Sequence, residues 1–297
     1  MQIEIEPIGT LRAALGECPI WDTEHRQLWF IDARAGLIRR LEPATGKITA
    51  SVTVPAPAGS FCLNEDGRLL VALKQDIVLV DPATGAQQFL ARIDDSHPHL
   101  RLNDGEPMPD GSFIVGTMHV YRDNDEPPLG GLYRIRPDGG LMKLDTGIGI
   151  TNGPCVNPQD GRLYVSDSST RSICSYAMAP DGTLADRRLF INTGAYASGP
   201  DGCCFDSQGG LWTALVRAGA IARFGPDGAL THKIDVPLTH PASLCFGGEH
   251  LDEIYVTSIS DSGRLRADGP LDGAVLRIRG CEVQGMAPAR SRIGLLA

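Results

Sequence analysis

The chain is poor in aromatic residues, which make up 6% of its 297 positions, so a broad stacking surface for bases or large aromatic substrates is not expected. Positive charge is also in short supply. There are 27 Lys and Arg against 36 Asp and Glu, a formal net charge of −9, which argues against a nucleic-acid partner because phosphate backbones demand a basic surface. No apolar run approaches the length that spans a bilayer. The opening Met-Gln-Ile-Glu-Ile-Glu has neither the basic flank nor the apolar stretch of a secretory signal. No membrane is therefore expected as a partner, and the cytoplasm is the expected location.

Several chemical signatures are missing as well. The eight cysteines contain no CxxC pair, and Cys203 and Cys204 are neighbours, so neither a zinc cluster nor a disulfide framework is indicated. There is no GxSxG elbow, no HExxH helix and no GxxxxGK[ST] phosphate loop. The seven histidines, at 25, 97, 99, 119, 232, 240 and 250, do not cluster by spacing. Helical periodicity of any length is absent.

What the chain does contain is one sentence written six times. A turn followed by an alternating strand reads EHRQLWFID, EDGRLLVAL, PDGSFIVGT, QDGRLYVSD, SQGGLWTAL and HLDEIYVTS. Its apolar anchors are Leu28, Leu69, Phe113, Leu163, Leu211 and Ile254, spaced by 41 to 50 residues, the period of propeller blades. Between these copies lies a second marker, a short strand ending in a Pro/Gly turn, as in IVLVDPATG and AIARFGPDG. Fourth strands follow at 47–54, 86–93, 140–145, 183–190 and 229–236. The sixth unit lacks one, whereas residues 2–7 alternate ahead of the first unit. The spacing thus predicts an all-β, six-bladed propeller occupying 1–297 as one domain, with four antiparallel strands per blade and the N-terminal strand completing the last blade. Cys18, Cys62, Cys155, Cys204 and Cys245 recur once per repeat and read as small buried residues of the innermost strands.

Connections in such a blade alternate between two faces. The short DG and PxTG turns share one face, and the long, varied segments 93–101, 117–130, 191–200 and 258–273 fall on the other, which is therefore the expected binding side. Entries to the inner strands place Glu17, Asn103, Asn152 and Asp201 ten or eleven residues before the anchors. All four should converge on the axis. Two carboxylates facing each other in a narrow channel repel, and a divalent cation resolves the conflict, with Asn152 and also Asn103 available to supply amide oxygen. An all-oxygen set suits Ca²⁺, Mg²⁺ or Mn²⁺ without excluding Zn²⁺ or Fe²⁺. Asn-Gly and Asp-Gly are also ordinary turn dipeptides; recurrence at one position of four blades favours the ion.

The segments LGECPIWD, RLNDGEPMPDGSFIVGTM, ITNGPCVNPQDGRLYVSDS and GPDGCCFDSQGGLWTAL resemble the SMP-30/gluconolactonase/regucalcin family over essentially the whole chain. The resemblance implies a propeller with one catalytic divalent metal that opens sugar lactones such as glucono-, xylono- or arabinonolactone to aldonic acids. By position it implies Glu17, Asn152 and Asp201 as metal ligands, Arg101 and Asn103 as substrate-binding residues, and Asp201 as the catalytic base. His119, just after the Gly-Thr-Met at 116–118, is expected to reach the binding face and contact the sugar. Two other readings stay open: a related metallo-hydrolase of phosphotriesters or aryl esters, and a non-catalytic calcium-binding regulator.

Overall fold

A computed structural model describes residues 3–93, 97–123 and 125–295. Six four-stranded antiparallel sheets are present; five run in chain order from an innermost to an outermost strand, and the sixth takes its outermost strand from the N-terminus. The inner strands are Gly16–Asp22, Ser60–Leu63, Leu100–Pro107, Thr151–Val156, Pro200–Phe205 and Pro241–Gly247. They surround one axis, so the fold is the expected β-propeller. One turn of 3₁₀-helix, Thr193–Tyr196, interrupts the all-β pattern.

The anchors explain why the repeat closes. Leu28, Leu69, Phe113, Leu163, Leu211 and Ile254 all lie at or next to the start of a second strand and are at most 1% exposed. Each buries a large apolar side chain against the adjoining sheet, worth roughly 1.5–3 kcal/mol apiece. Exposed polar positions concentrate on the fourth strands, as in Lys47–Thr53 and Leu184–Asn192.

Closure uses the N-terminus. Glu4–Pro7 pairs antiparallel with Leu276–Arg279, in the register Glu4 to Arg279, Ile5 to Ile278 and Glu6 to Arg277. Residue 2 of the expected strand lies outside the described residues. Arg277 donates to Glu6 at 2.5 Å, and Arg279 reaches Glu6 at 3.0 Å and Glu4 at 3.3 Å. Opposite charges thus line both sides of the seam.

The last described stretch crosses the short-turn face, a feature the repeat pattern does not foretell. Ser207 N donates to Gln284 O, Gly285 N to Leu251 O, and Ser291 N to Leu63 O. Asn64 binds Ile293 O, Arg290 pairs with Asp22, and Arg292 with Glu65. This tail ties blades on opposite sides of the molecule together. Met286–Ala289 forms one wall of a cavity of about 180 Å³ on the axis, whose other walls include Cys18, Cys155, Cys203, Cys204, Cys245 and Glu106.

All eight cysteines are free. Five of them occupy inner strands at the expected repeat position; Cys18, Cys62 and Cys155 are buried as expected, whereas Cys204 and Cys245 are only half-buried, because they border the axial cavity. Among the described residues, no helix is long and apolar enough to cross a membrane.

Candidate functional site

The inner strands are not regular where they enter the axis. In the first, third, fourth and fifth blades the register slips between Glu17 and Ile20, Leu102 and Gly105, Asn152 and Cys155, and Pro200 and Cys203. At each slip two residues oppose one, which is a β-bulge. The sixth blade slips as well, between Pro241 and Ser243, and the register of the second is unbroken. Bulges turn side chains that would lie flat against the neighbouring blade toward the channel. They also crowd the backbones: a Cβ on Gly202 would sit 2.1 Å from Ser243 Oγ, and one on Gly153, at φ +49°, 2.5 Å from Cys203 N. Glycine is required at both positions.

Around these bulges opens a cavity of about 570 Å³, within the usual range for small-molecule sites, whose wall includes Glu17, Arg101, Asn103, Asp104, Asn152 and Asp201. It lies on the long-loop side, as the connection lengths predict. The structure thus brings together five of the six residues singled out from the sequence.

A chain of hydrogen bonds runs from Arg101 through Asn103 and Asn152, across three blades, to the backbone beside Asp201. Arg101 Nη1 donates to Leu102 O and to Asn103 Oδ1, both at 2.8 Å. Asn103 Nδ2 donates to Thr151 O at 2.8 Å and to Asn152 Oδ1 at 2.7 Å. Asn152 Nδ2 donates to Ser168 Oγ at 2.8 Å, and Ser168 Oγ to Pro200 O at 2.6 Å, beside Asp201. Asn103 therefore spends its amide on orienting Arg101 and Asn152. Of the Asn152 oxygen's two lone pairs, one is taken and one is spare.

A third carboxylate joins Glu17 and Asp201, namely Asp104. It accepts from Gly105 N at 2.9 Å, Gly153 N at 2.7 Å and Cys18 Sγ at 3.2 Å. Burial raises its carboxyl group above the usual range against the pull of those donors. Burial, then the charges of Asp201 and Asp104, push Glu17 well above its ordinary value, with Arg101 opposing. Burial and Asp104 do the same to Asp201. Burial brings the Arg101 guanidinium down to about 10, Glu17 opposing and Arg264 adding to the fall. Three acids against one guanidinium leave excess negative charge in a buried place, where a cation of charge two would stabilise the ionised forms. Carboxylate oxygens plus one free amide lone pair are hard donors of the type calcium and magnesium take. The donor set fits such an ion.

His119 does not reach the cavity. Its neighbours Met118, Val120 and Tyr121 are on the wall, but its own side chain is 1% exposed and packs edge-on against His97, ring centroids 4.9 Å apart. Side chains alternate along a strand, and within Phe113–His119 the position of His119 turns away from the axis. The expectation of sugar contact is corrected accordingly. Burial, reinforced by His97, holds its imidazole below the ordinary range.

A model of the family described as the SMP-30/gluconolactonase/LRE-like region matches residues 15–260. The chain belongs to this family. It is 33% identical over 270 residues to a protein named 6-deoxy-6-sulfogluconolactonase from Pseudomonas putida, covering 90% of this chain and 91% of that one. It is 31% identical to a protein named pentonolactonase XacC from Haloferax volcanii, covering 84% and 83%. The solved structure of a calcium-binding protein, regucalcin, from Agrobacterium tumefaciens superposes with a TM-score of 0.86 at 26% identity, over 97% of each chain.

The family's propeller accounts for the site's frame, and two features of the wall were not legible beforehand. Asp104 stands in an Asn-Asp-Gly that reads as an ordinary turn; its partners come from two other blades and the adjoining backbone. The upper wall carries Arg34, Arg217, Arg264 and Arg266. These stand on loops far apart in sequence, and no spacing rule joins them. Asp22, Glu24 and His25 are the one set of three carboxylate or imidazole donors within 4.8 Å of one another among the described residues. They sit at the far end of the first inner strand, neutralised by Arg290.

Proposed function

We propose that the chain hydrolyses sugar lactones to aldonic acids with the help of one divalent metal ion held by Glu17, Asn152 and Asp201. The observation that carries this reading is the convergence of those three residues and Arg101 on one cavity at the propeller axis. The names of the two lactonase relatives support the same reaction class. When bound, the ion would supply Lewis acidity toward the lactone carbonyl, stabilising charge as it develops on that oxygen.

The residues divide the remaining work. Among the described residues Arg101 uses only Nη1 for hydrogen bonds, so Nε and Nη2 remain to donate to ring oxygen or hydroxyl groups and to fix the sugar. Asn103 acts mainly as a positioning residue, holding the Asn152 oxygen toward the axis and Arg101 toward the ligand. Asp201 accepts a backbone hydrogen bond from Gly202 and keeps oxygen free to take the proton of an attacking water.

The test is to strip the protein with a chelator, add back single divalent metals, and follow acid release from pentono- and hexonolactones, subtracting spontaneous opening. Restoration of rapid hydrolysis by one metal is the expected outcome. Equal rates with and without metal would remove the ion from the mechanism. Absence of turnover on every lactone, with tight calcium binding, would favour the calcium-binding role that the Agrobacterium protein's description carries.

A further inference from the structure

The cavity is polarised in a way that lactone hydrolysis alone does not require. Its floor holds Glu17, Asp104 and Asp201, and every other charged residue on its wall is an arginine: Arg34, Arg101, Arg217, Arg264 and Arg266. Acids outnumber bases in the chain as a whole, so this concentration runs against the composition. Arg34 and Arg266 share Asp261, each at 3.4 Å. The guanidinium of Arg264 lies 5.9 Å from the ring centroid of the exposed Tyr121 and near enough to Arg101 to disfavour its charge. Among the described residues neither Arg264 nor Arg217 meets a carboxylate.

We infer that the lactone this site takes carries an anionic group, a phosphate, sulfonate or carboxylate, at the end of the sugar remote from the reacting carbonyl, and that Arg217 and Arg264 hold it. Like charges gathered at a cavity mouth repel one another, and an anion seated among them removes that repulsion. Guanidinium groups present a planar fork that matches oxyanions and bind them more strongly than neutral hydroxyls. The separation of acids at the floor from arginines at the rim orients such a substrate, with its carbonyl at the floor and its anionic end outward. The inference rests on the lactonase reading for the reaction, and on the rim alone for the charge.

The experiment compares kcat/KM for gluconolactone, 6-phosphogluconolactone, 6-deoxy-6-sulfogluconolactone and a glucaric acid lactone, using the parent and the Arg217→Ala/Arg264→Ala double variant. Calorimetry of the open-chain acids gluconate and 6-phosphogluconate is run in parallel. The parent is expected to prefer at least one anionic lactone by tenfold or more, a preference that shrinks as salt is raised; the ranking among the three names the anion. The double variant is expected to lower the ratio of anionic to neutral kcat/KM by roughly a hundredfold, about tenfold for each lost charge-assisted contact. A parent that opens gluconolactone as well as every charged lactone, with the ratio unmoved in the variant, would overturn the inference and leave the lactonase reading standing. If no lactone is opened, tighter binding of 6-phosphogluconate than gluconate, lost in the double variant, would preserve the rim's role while the hydrolase reading fails. Equal binding of the two acids would end both.

Discussion

At the residue scale, Asp201 and Glu106 show how one buried channel puts carboxyl groups to different uses. Asp201 has one backbone partner and two acidic neighbours, so its removal relieves repulsion while taking away the proposed base and a proposed ligand. Asp201→Ala is expected to lower lactone turnover by about a thousandfold, within the range for loss of a general base, and to weaken divalent-ion binding. In chelator its melting temperature should equal or exceed that of the parent. Full activity in a folded Asp201→Ala protein would defeat the mechanism. Glu106 faces the small axial cavity; burial, with the charge of Asp104 adding, raises its carboxyl group to about 8. The folded state therefore holds this proton at pH values where the unfolded chain has released it, and stability falls as pH rises from the ordinary carboxylate value toward about 8. Urea unfolding across that window should show a shallower decline in Glu106→Gln than in the parent.

At the scale of elements, the N-terminal strand and the bulged inner strands carry different burdens. Glu4–Pro7 contributes four residues of pairing and covers the otherwise open edge of Leu276–Arg279. Removing residues 1–7 is expected to lower the free energy of unfolding by several kcal/mol and to produce concentration-dependent association, since a bare edge recruits other chains. Light scattering and denaturant titration would register both. Glu6→Lys, which reverses one exposed partner of Arg277 and Arg279, should cost only about 1 kcal/mol. The bulges have little bearing on closure but decide aim. Gly202→Ala should disturb the site more than the fold, because its added methyl meets Ser243 of the next blade at the axis.

At the scale of the whole molecule, the tail across the short-turn face seals the channel. Of the axial thiols, Cys18, Cys62 and Cys155 are buried and Cys203, Cys204 and Cys245 half-buried; desolvation pushes Cys62 and Cys203 to about 12, so thiolate is scarce near neutrality. In the native protein the axial cysteines are expected to resist a disulfide-exchange reagent at pH 8. A chain ending at residue 283 should expose Cys204 and Cys245 and react many-fold faster. Equal reaction rates in the two proteins would show that the tail is not the barrier.

The architecture was legible because each blade repeats the same local instructions: a turn, an apolar anchor, an alternating strand and a Pro/Gly stop. Glu17, Asn103, Asn152 and Asp201 were legible because they recur at one position of that repeat. His119 was misread because a one-residue offset on a strand exchanges the cavity for the space between blades, and the phase of that alternation depends on where pairing begins.

By itself, then, the amino-acid order determined six blades, the face on which the axial cavity opens, and the polar residues at the axis, since all are consequences of short-range pattern. Only the tertiary structure decided that Asp104 joins the acids, that Asn103 serves as a brace, that the tail closes the far side, and that arginines from separate loops meet at the rim. Those are contacts between segments up to the full width of the molecule apart, and local periodicity holds no information about which distant side chains will share a cavity.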